Sequence, residues 1–96
     1  MKIIMTKFGT VLTSRQAGKE AYNAFLPTLN AIKSNETVEM DFEGIITFSP
    51  SWGDEFITPI FKNFGDRLIF INTTNSSVLL TLQLLEKIHE IKFNVK

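Results

Sequence analysis

The passage from Val38 to Phe56 limits what this chain can fold into more than any other stretch, because it moves from the period of a strand to that of a helix through one polar junction. Val38, Met40 and Phe42 alternate with Glu39 and Asp41, the period-two pattern of a strand with two unlike faces. Glu43-Gly44 reads as a turn. Ile45-Ile46-Thr47-Phe48 is then a short β-branched and aromatic run leading into Ser49-Pro50-Ser51, where a helix begins. The first N–H groups of a helix have no partner inside it, so a serine hydroxyl there either caps them or stands free beside the positive end of the dipole. Proline is favoured at the first helical position, which makes Ser49 the better cap and leaves the Ser51 hydroxyl free at the second. In the rival register Ser51 is the cap and Asp54 lies three residues on, as in a capping box.

Ahead of this passage, Lys2 to Lys7 has the composition of a strand, and Gly9 supplies a turn before a second extended piece, Thr10 to Leu12. Together they predict an N-terminal hairpin. Thr13 or Ser14 then caps a helix to about Lys33, with Ala17, Ala21, Phe25, Leu29 and Ile32 recurring at intervals of three and four. Pro27 falls inside that pattern; it lacks an N–H and crowds the carbonyl one turn back, which predicts a kink or break near Phe25-Leu26.

Beyond the junction, Trp52, Phe56, Ile57, Ile60, Phe61 and Phe64 fan over about half of a helix circumference, with Trp52 at the edge of the fan. Gly53 sits near its middle, where glycine costs about 1 kcal/mol of helix propensity relative to alanine, so a strand is expected to approach closely there. Asp54, Thr58 and Lys62 fall on the opposite, solvent-facing side, with Glu55 beside them, and Pro59 predicts a bend or a fresh start. Arg67 to Asn72 is nearly all apolar between its ends, as in a strand buried on both faces at or next to the centre of a parallel sheet. A polar loop, Thr73 to Ser77, precedes a long helix to about Ile91. The apolar arc of that helix is wide enough to predict a covering neighbour, either another helix or a second subunit. Lys92 to Lys96 reads as an extended or frayed tail.

With 96 residues and no repeat or linker-like stretch, the chain is expected to form one small domain with a single core. Ten basic side chains balance ten acidic ones, which removes the usual electrostatic reason to bind nucleic acid or an acidic membrane. The absence of cysteine rules out disulfides and thiolate metal sites and fits a cytoplasmic location. Ile3-Ile4-Met5, between Lys2 and Lys7, is too short for a signal peptide or a membrane span.

Catalysis finds little support in the pattern. A serine nucleophile needs a base, and the sole histidine, His89, lies on the last helix in no triad-like motif, so it reads as a surface or rim residue. One histidine without cysteine cannot make a usual zinc site, and the acidic pairs Asp54-Glu55 and Asp41 with Glu43 lack the oxygen spacing of a calcium loop. No glycine-rich phosphate loop follows a strand, so no cofactor is expected. The candidates are instead residues of recognition. Arg15 stands in the first turn of a helix, where a cation faces the positive dipole end and needs another partner. Its guanidinium can pair with Asp41 or Glu43, or stay free for a phosphate or a partner's carboxylate; the pair with Asp41 is preferred because it serves structure and site together. Ser49, Ser51, Trp52, Asp54 and Glu55 place a helix start, an aromatic anchor and acidic groups on adjacent positions, a candidate binding face for a protein partner.

Several of these residues also carry a family pattern: Ser14-Arg15 with Ala17, the run Val38 to Ile45, and Ser49 to Phe56 behind the hydrophobic step of Phe48. On them the chain resembles bacterial STAS-like domains of unknown function, related to the anti-sigma factor antagonists. In the antagonists the equivalent junction reads Asp-Ser-Ser-Gly or Asp-Ser-Thr-Gly, and a partner kinase phosphorylates the hydroxyl before the glycine; that hydroxyl falls on Ser51. Here Ser49 stands at the aspartate position, Pro50 follows it, and Trp52 stands at the glycine position. The resemblance implies a small α/β STAS-like sandwich: a mixed, mostly parallel sheet of about four strands with an N-terminal hairpin, covered by three or so helices, with the junction at the carboxyl end of a strand. It also implies a non-enzymatic cytoplasmic regulator in signalling and transcription control, docking to a protein partner of the kinase or ATPase type. Two readings from other classes stay open, a small hydrolase or transferase using Ser51 and a structural homodimer built on the C-terminal helix.

Overall fold

Alternation in the strand pattern decides how the sheet sits. In the computed structural model, which describes all 96 residues, Val38 and Met40 are fully buried while Glu39 between them is half-buried. The elements in chain order are β1 (Lys2–Ile4), β2 (Val11–Leu12), α1 (Arg15–Asn30), β3 (Val38–Asp41), β4 (Thr47–Phe48), α2 (Pro50–Phe64), β5 (Leu68–Ile71), α3 (Ser76–His89) and β6 (Asn94–Val95). Short 3-10 turns occupy Met5–Phe8 and Gly65–Arg67. Four strands form one sheet in the order β1-β3-β5-β6, every neighbouring pair parallel. The expected α/β class, with a mostly parallel four-stranded sheet and three helices, is the one observed.

Register places Ile3 beside Met40 and Met40 beside Phe70, a row of fully buried side chains under the helices. The opposite row, Ile4, Glu39, Ile69 and Ile71, stays exposed or half-buried. β5 is therefore an interior strand, as its composition predicts, but it is covered on one face only. The physical reason is economy of elements: three helices packed on one another over one side of the sheet leave none for the other.

The N-terminal hairpin does not form. β1 pairs with β3, and β2 pairs with β4 in a separate two-stranded parallel sheet. Between them the 3-10 turn buries Met5 and sends the Phe8 ring against Phe56 at 5.0 Å and Phe25 at 5.9 Å. Seating two apolar side chains in the core outweighs the few ladder bonds a short hairpin would make.

Pro27 and Pro59 both lie inside continuous helices. α1 runs through Pro27 without a break and stops at Asn30, short of Lys33; Pro59 lies within α2. Pro27 forfeits one N–H close to the helix end, where packing of Phe25 and Leu29 holds the turn. The starts of α1 and α2 meet at Gly18, where an added Cβ would lie 2.5 Å from the Trp52 carbonyl oxygen. Gly53 has the close strand neighbour expected of it: a Cβ there would lie 3.2 Å from the Phe48 ring. The C-terminal segment is extended and ordered into β6, anchored by buried Phe93 against Phe70 at 4.8 Å and by the Lys96 N–H donating to the Phe70 carbonyl at 2.9 Å. No helix is long and apolar enough to cross a membrane.

Candidate functional site

The junction uses its two serines differently. Ser49 is the cap of α2: its Oγ accepts from the Trp52 N–H at 3.3 Å and donates to the Thr13 carbonyl at 2.6 Å. Pro50 takes the first helical position, so the favoured register is the one formed. Ser51 is half-buried at the second position, and its hydroxyl lies outside the cap. Trp52, read from sequence as a residue at the rim of the core or else a partner's anchor, lies within the core, 1% exposed and ringed by Phe56 at 4.9 Å, Phe48 at 5.6 Å and Phe8 at 5.9 Å. The close crossing of α1 at Gly18 seals it in.

The same crossing redirects Arg15. Ser14 caps α1 by accepting from the Ala17 N–H at 3.1 Å, and one turn before Gly18 the Arg15 side chain lies over the start of α2. It donates to Glu55 Oε2 at 2.8 Å and approaches Asp54 Oδ2 at 3.5 Å. It does not reach Asp41. That carboxylate ends β3, where Asn72 Nδ2 donates to it at 2.8 Å, the Glu43 N–H at 3.0 Å, and Lys2 approaches at 4.0 Å. The Asn72 bond first, then the Glu43 N–H, hold Asp41 below the ordinary aspartate range against the opposing effect of burial, with a smaller contribution from the Lys2 charge. The carboxyl ends of β3 and β5 thus carry a self-satisfied structural knot, separate from the start of α2.

Asp54 is the hub of the second cluster. Its Oδ1 accepts from the Thr58 hydroxyl at 2.8 Å and lies 2.7 Å from His89 Nε2. An ionised carboxylate only accepts, so the network assigns the proton of a neutral His89 ring to Nε2. Burial acts to raise the Asp54 pKa, but the bonds from Thr58 and His89, the His89 charge and the Arg15 contact together hold it below the ordinary value. His89 is the last residue of α3, so this bond ties the end of that helix to the first turns of α2. Thr58, expected in solvent, is 8% exposed because His89 and Asp54 close over it. The Thr58 hydroxyl gives its proton to the Asp54 carboxylate rather than to the imidazole.

Of the residues singled out from sequence, Arg15, Asp54 and Glu55 come together, with Ser51 one turn away on the same helix; Ser49, Trp52 and Asp41 are taken up by the fold. His89 and Thr58 were missed. The spacing of Asp54 and Thr58, one helical turn apart, was the available signal of a shared polar surface, but nothing local says that α3 returns to it. Lys19, Tyr22 and Asn23 of α1 and Lys62 of α2 complete an open cleft of about 410 Å³ beside the cluster. A second hollow of about 370 Å³ lies at the carboxyl ends of β3 and β5, lined in part by Asn75. Asn75 caps α3 and donates to the Ile45 and Ile46 carbonyls, which makes this hollow a braced loop. No group of histidine, aspartate and glutamate is placed to hold a metal ion.

A family model described as a STAS-like domain of unknown function (DUF4325) matches residues 17–78, from α1 through the junction to the start of α3, and the chain belongs to that family. No curated protein and no solved structure matches it.

Proposed function

We propose that this STAS-like domain is a non-enzymatic regulatory module that docks a protein partner where α2 begins, through Ser51, Asp54 and Glu55 with Arg15 beside them. One observation carries the reading: Ser49 does all the capping, so the half-buried Ser51 hydroxyl is left at the positive end of a long helix with no structural duty. Surfaces that bind are built from such groups, held by a rigid element yet not used by it. A phosphate on Ser51 would lie at the positive end of the α2 dipole beside the residue's own N–H, since Pro50 has none and those of Trp52 and Gly53 are taken by Ser49, and the repulsion expected from Asp54 and Glu55 is reduced because Arg15 and His89 already pair with them. The family resemblance favours a kinase- or ATPase-type regulator as the partner, in a bacterial cytoplasm.

The test is co-purification of the tagged domain with its partner from native cells, with mass spectrometry of Ser51 in the same sample. Ser51→Asp and Glu55→Arg should each weaken the recovered complex by about tenfold or more, equivalent to about 1.4 kcal/mol, without lowering the melting temperature. Binding indifferent to both substitutions would remove the start of α2 as the docking face.

A second reading rests on α3. Leu80, Leu84 and Ile88, 65%, 41% and 59% exposed, recur every four residues as one ridge centred on Leu84. A second copy crossing antiparallel would set Leu80 against Ile88 about a two-fold axis. Sedimentation showing a mass that doubles with concentration and reverts in Leu84→Glu would establish that homodimer.

A further inference from the structure

The cleft between α1 and α2 carries an excess of positive charge. Lys19 and Lys62 line it from opposite helices, and neither has a carboxylate within salt-bridge distance. The two acids in its wall are already engaged: Glu55 by Arg15 at 2.8 Å, and Asp54 by His89 at 2.7 Å and Arg15 at 3.5 Å. Counting Arg15, Lys19 and Lys62 against Asp54 and Glu55 leaves one positive charge with His89 neutral and two with it protonated, in a chain whose net charge is zero. Asn23 and Tyr22 add neutral donors on the α1 wall. Eight of the nine lining residues end in a polar or charged group that a small charged ligand can reach, although their hydrocarbon stems supply much of the wall.

We propose that this cleft binds a phosphate monoester, with Lys19 and Lys62 closing on the phosphoryl oxygens from the two walls and Asn23 and Tyr22 completing the hydrogen bonds. Two ammonium groups on separate walls match a dianion with three acceptor oxygens better than a single carboxylate, which offers two oxygens and half the charge. The arrangement already in place serves the ligand: Arg15 and His89 neutralise the wall carboxylates, and the Asp54 bond holds the imidazole ring at the rim of the site. The source of the phosphoryl group is either a free metabolite or a phosphorylated side chain of a protein, since the chemistry recognised is the same. The cleft shares the Asp54 and Glu55 wall with the docking face, but its ligand is held by Lys19 and Lys62, which that face does not use.

The test is a two-dimensional NMR titration of the intact domain with O-phosphoserine, with a short peptide carrying phosphoserine, and with aspartate as the carboxylate control. Saturable shifts are expected at the Lys19, Asn23 and Lys62 amides and at the His89 ring, with aspartate at least fivefold weaker. Lys19→Gln and Lys62→Gln, both at exposed positions, should each reduce phosphoserine affinity about tenfold, and Lys92→Gln should leave it unchanged. Equal affinity for the free amino acid and the peptide identifies the phosphoryl group alone as the ligand, and tighter peptide binding identifies a phosphorylated protein segment. Shifts that never saturate, equal affinity for aspartate, or equal losses in Lys92→Gln would overturn the site. Ser51→Asp should not change phosphoserine binding, so failure of the docking face and failure of the cleft are separable.

Discussion

At the scale of single residues, Asp54 and Arg15 are unequal partners in one network. The Arg15 side chain is 57% exposed, so its contacts with Glu55 and Asp54 resemble surface ion pairs, and Arg15→Ala should cost less than about 1 kcal/mol. Asp54→Ala removes the acceptor of the nearly buried Thr58 hydroxyl and the partner of His89 together, and should cost about 1–3 kcal/mol in urea unfolding. The order of these two losses is the test; a larger loss for Arg15→Ala would contradict the hub. Asp41 and Asp54 also set the acid response. Both have folded pKa values below the ordinary aspartate value of 3.8, so the native state binds fewer protons than the unfolded chain in that range. Their stabilisation is complete above that value and is lost as pH falls from it through the lower folded values. Asp41→Asn should therefore lower the melting temperature at neutral pH and flatten its decline below pH 3.8, and an unchanged acid slope would show that Asp41 does not contribute. The register of Ser49 and Ser51 was legible in the sequence because capping is local. The partner of Arg15 was not, because it depends on how two helices cross forty residues apart in the chain.

At the scale of elements, the crossing of α1 and α2 positions everything on the candidate face. Gly18 permits it: a methyl there would press on the backbone of Trp52, which cannot move aside as a flexible side chain can. Alanine is the better helix former by about 1 kcal/mol, yet Gly18→Ala should be destabilising by about 1–3 kcal/mol, because overpacking at a backbone contact outweighs propensity. Thermal unfolding checks the sign, and a stabilised variant would show that the helices can separate freely. The same crossing turned Trp52 from the rim of an apolar arc into core. A helical wheel shows which side a residue faces but not whether a neighbouring helix closes over that side. The alternation of Val38 to Phe42, the run Leu68 to Ile71 and the helical periods were legible, since each is written in one segment. The N-terminal hairpin was misread because Lys2 to Leu12 shows two extended pieces around a glycine, while their partners, β3 and β4, lie elsewhere in the sequence.

At the scale of the whole molecule, one corner gathers what the sheet leaves free: the start of α1, the first turns of α2 and the end of α3, tied through Arg15, Asp54 and His89. The fold class and the family followed from the order of elements and the central junction, whereas the cleft beside Thr58 and His89 exists only once the helices are packed. If α2 carries the docking face, a protein partner contacts its start. Site-specific photo-crosslinking in native cells tests that contact most directly, with the probe placed at Ser51 in one variant and at Leu84 in another. An adduct to a second protein is expected from position 51. Adducts from position 84 alone, at twice the mass of this chain, would contradict it and assign the interaction to a homodimer on α3.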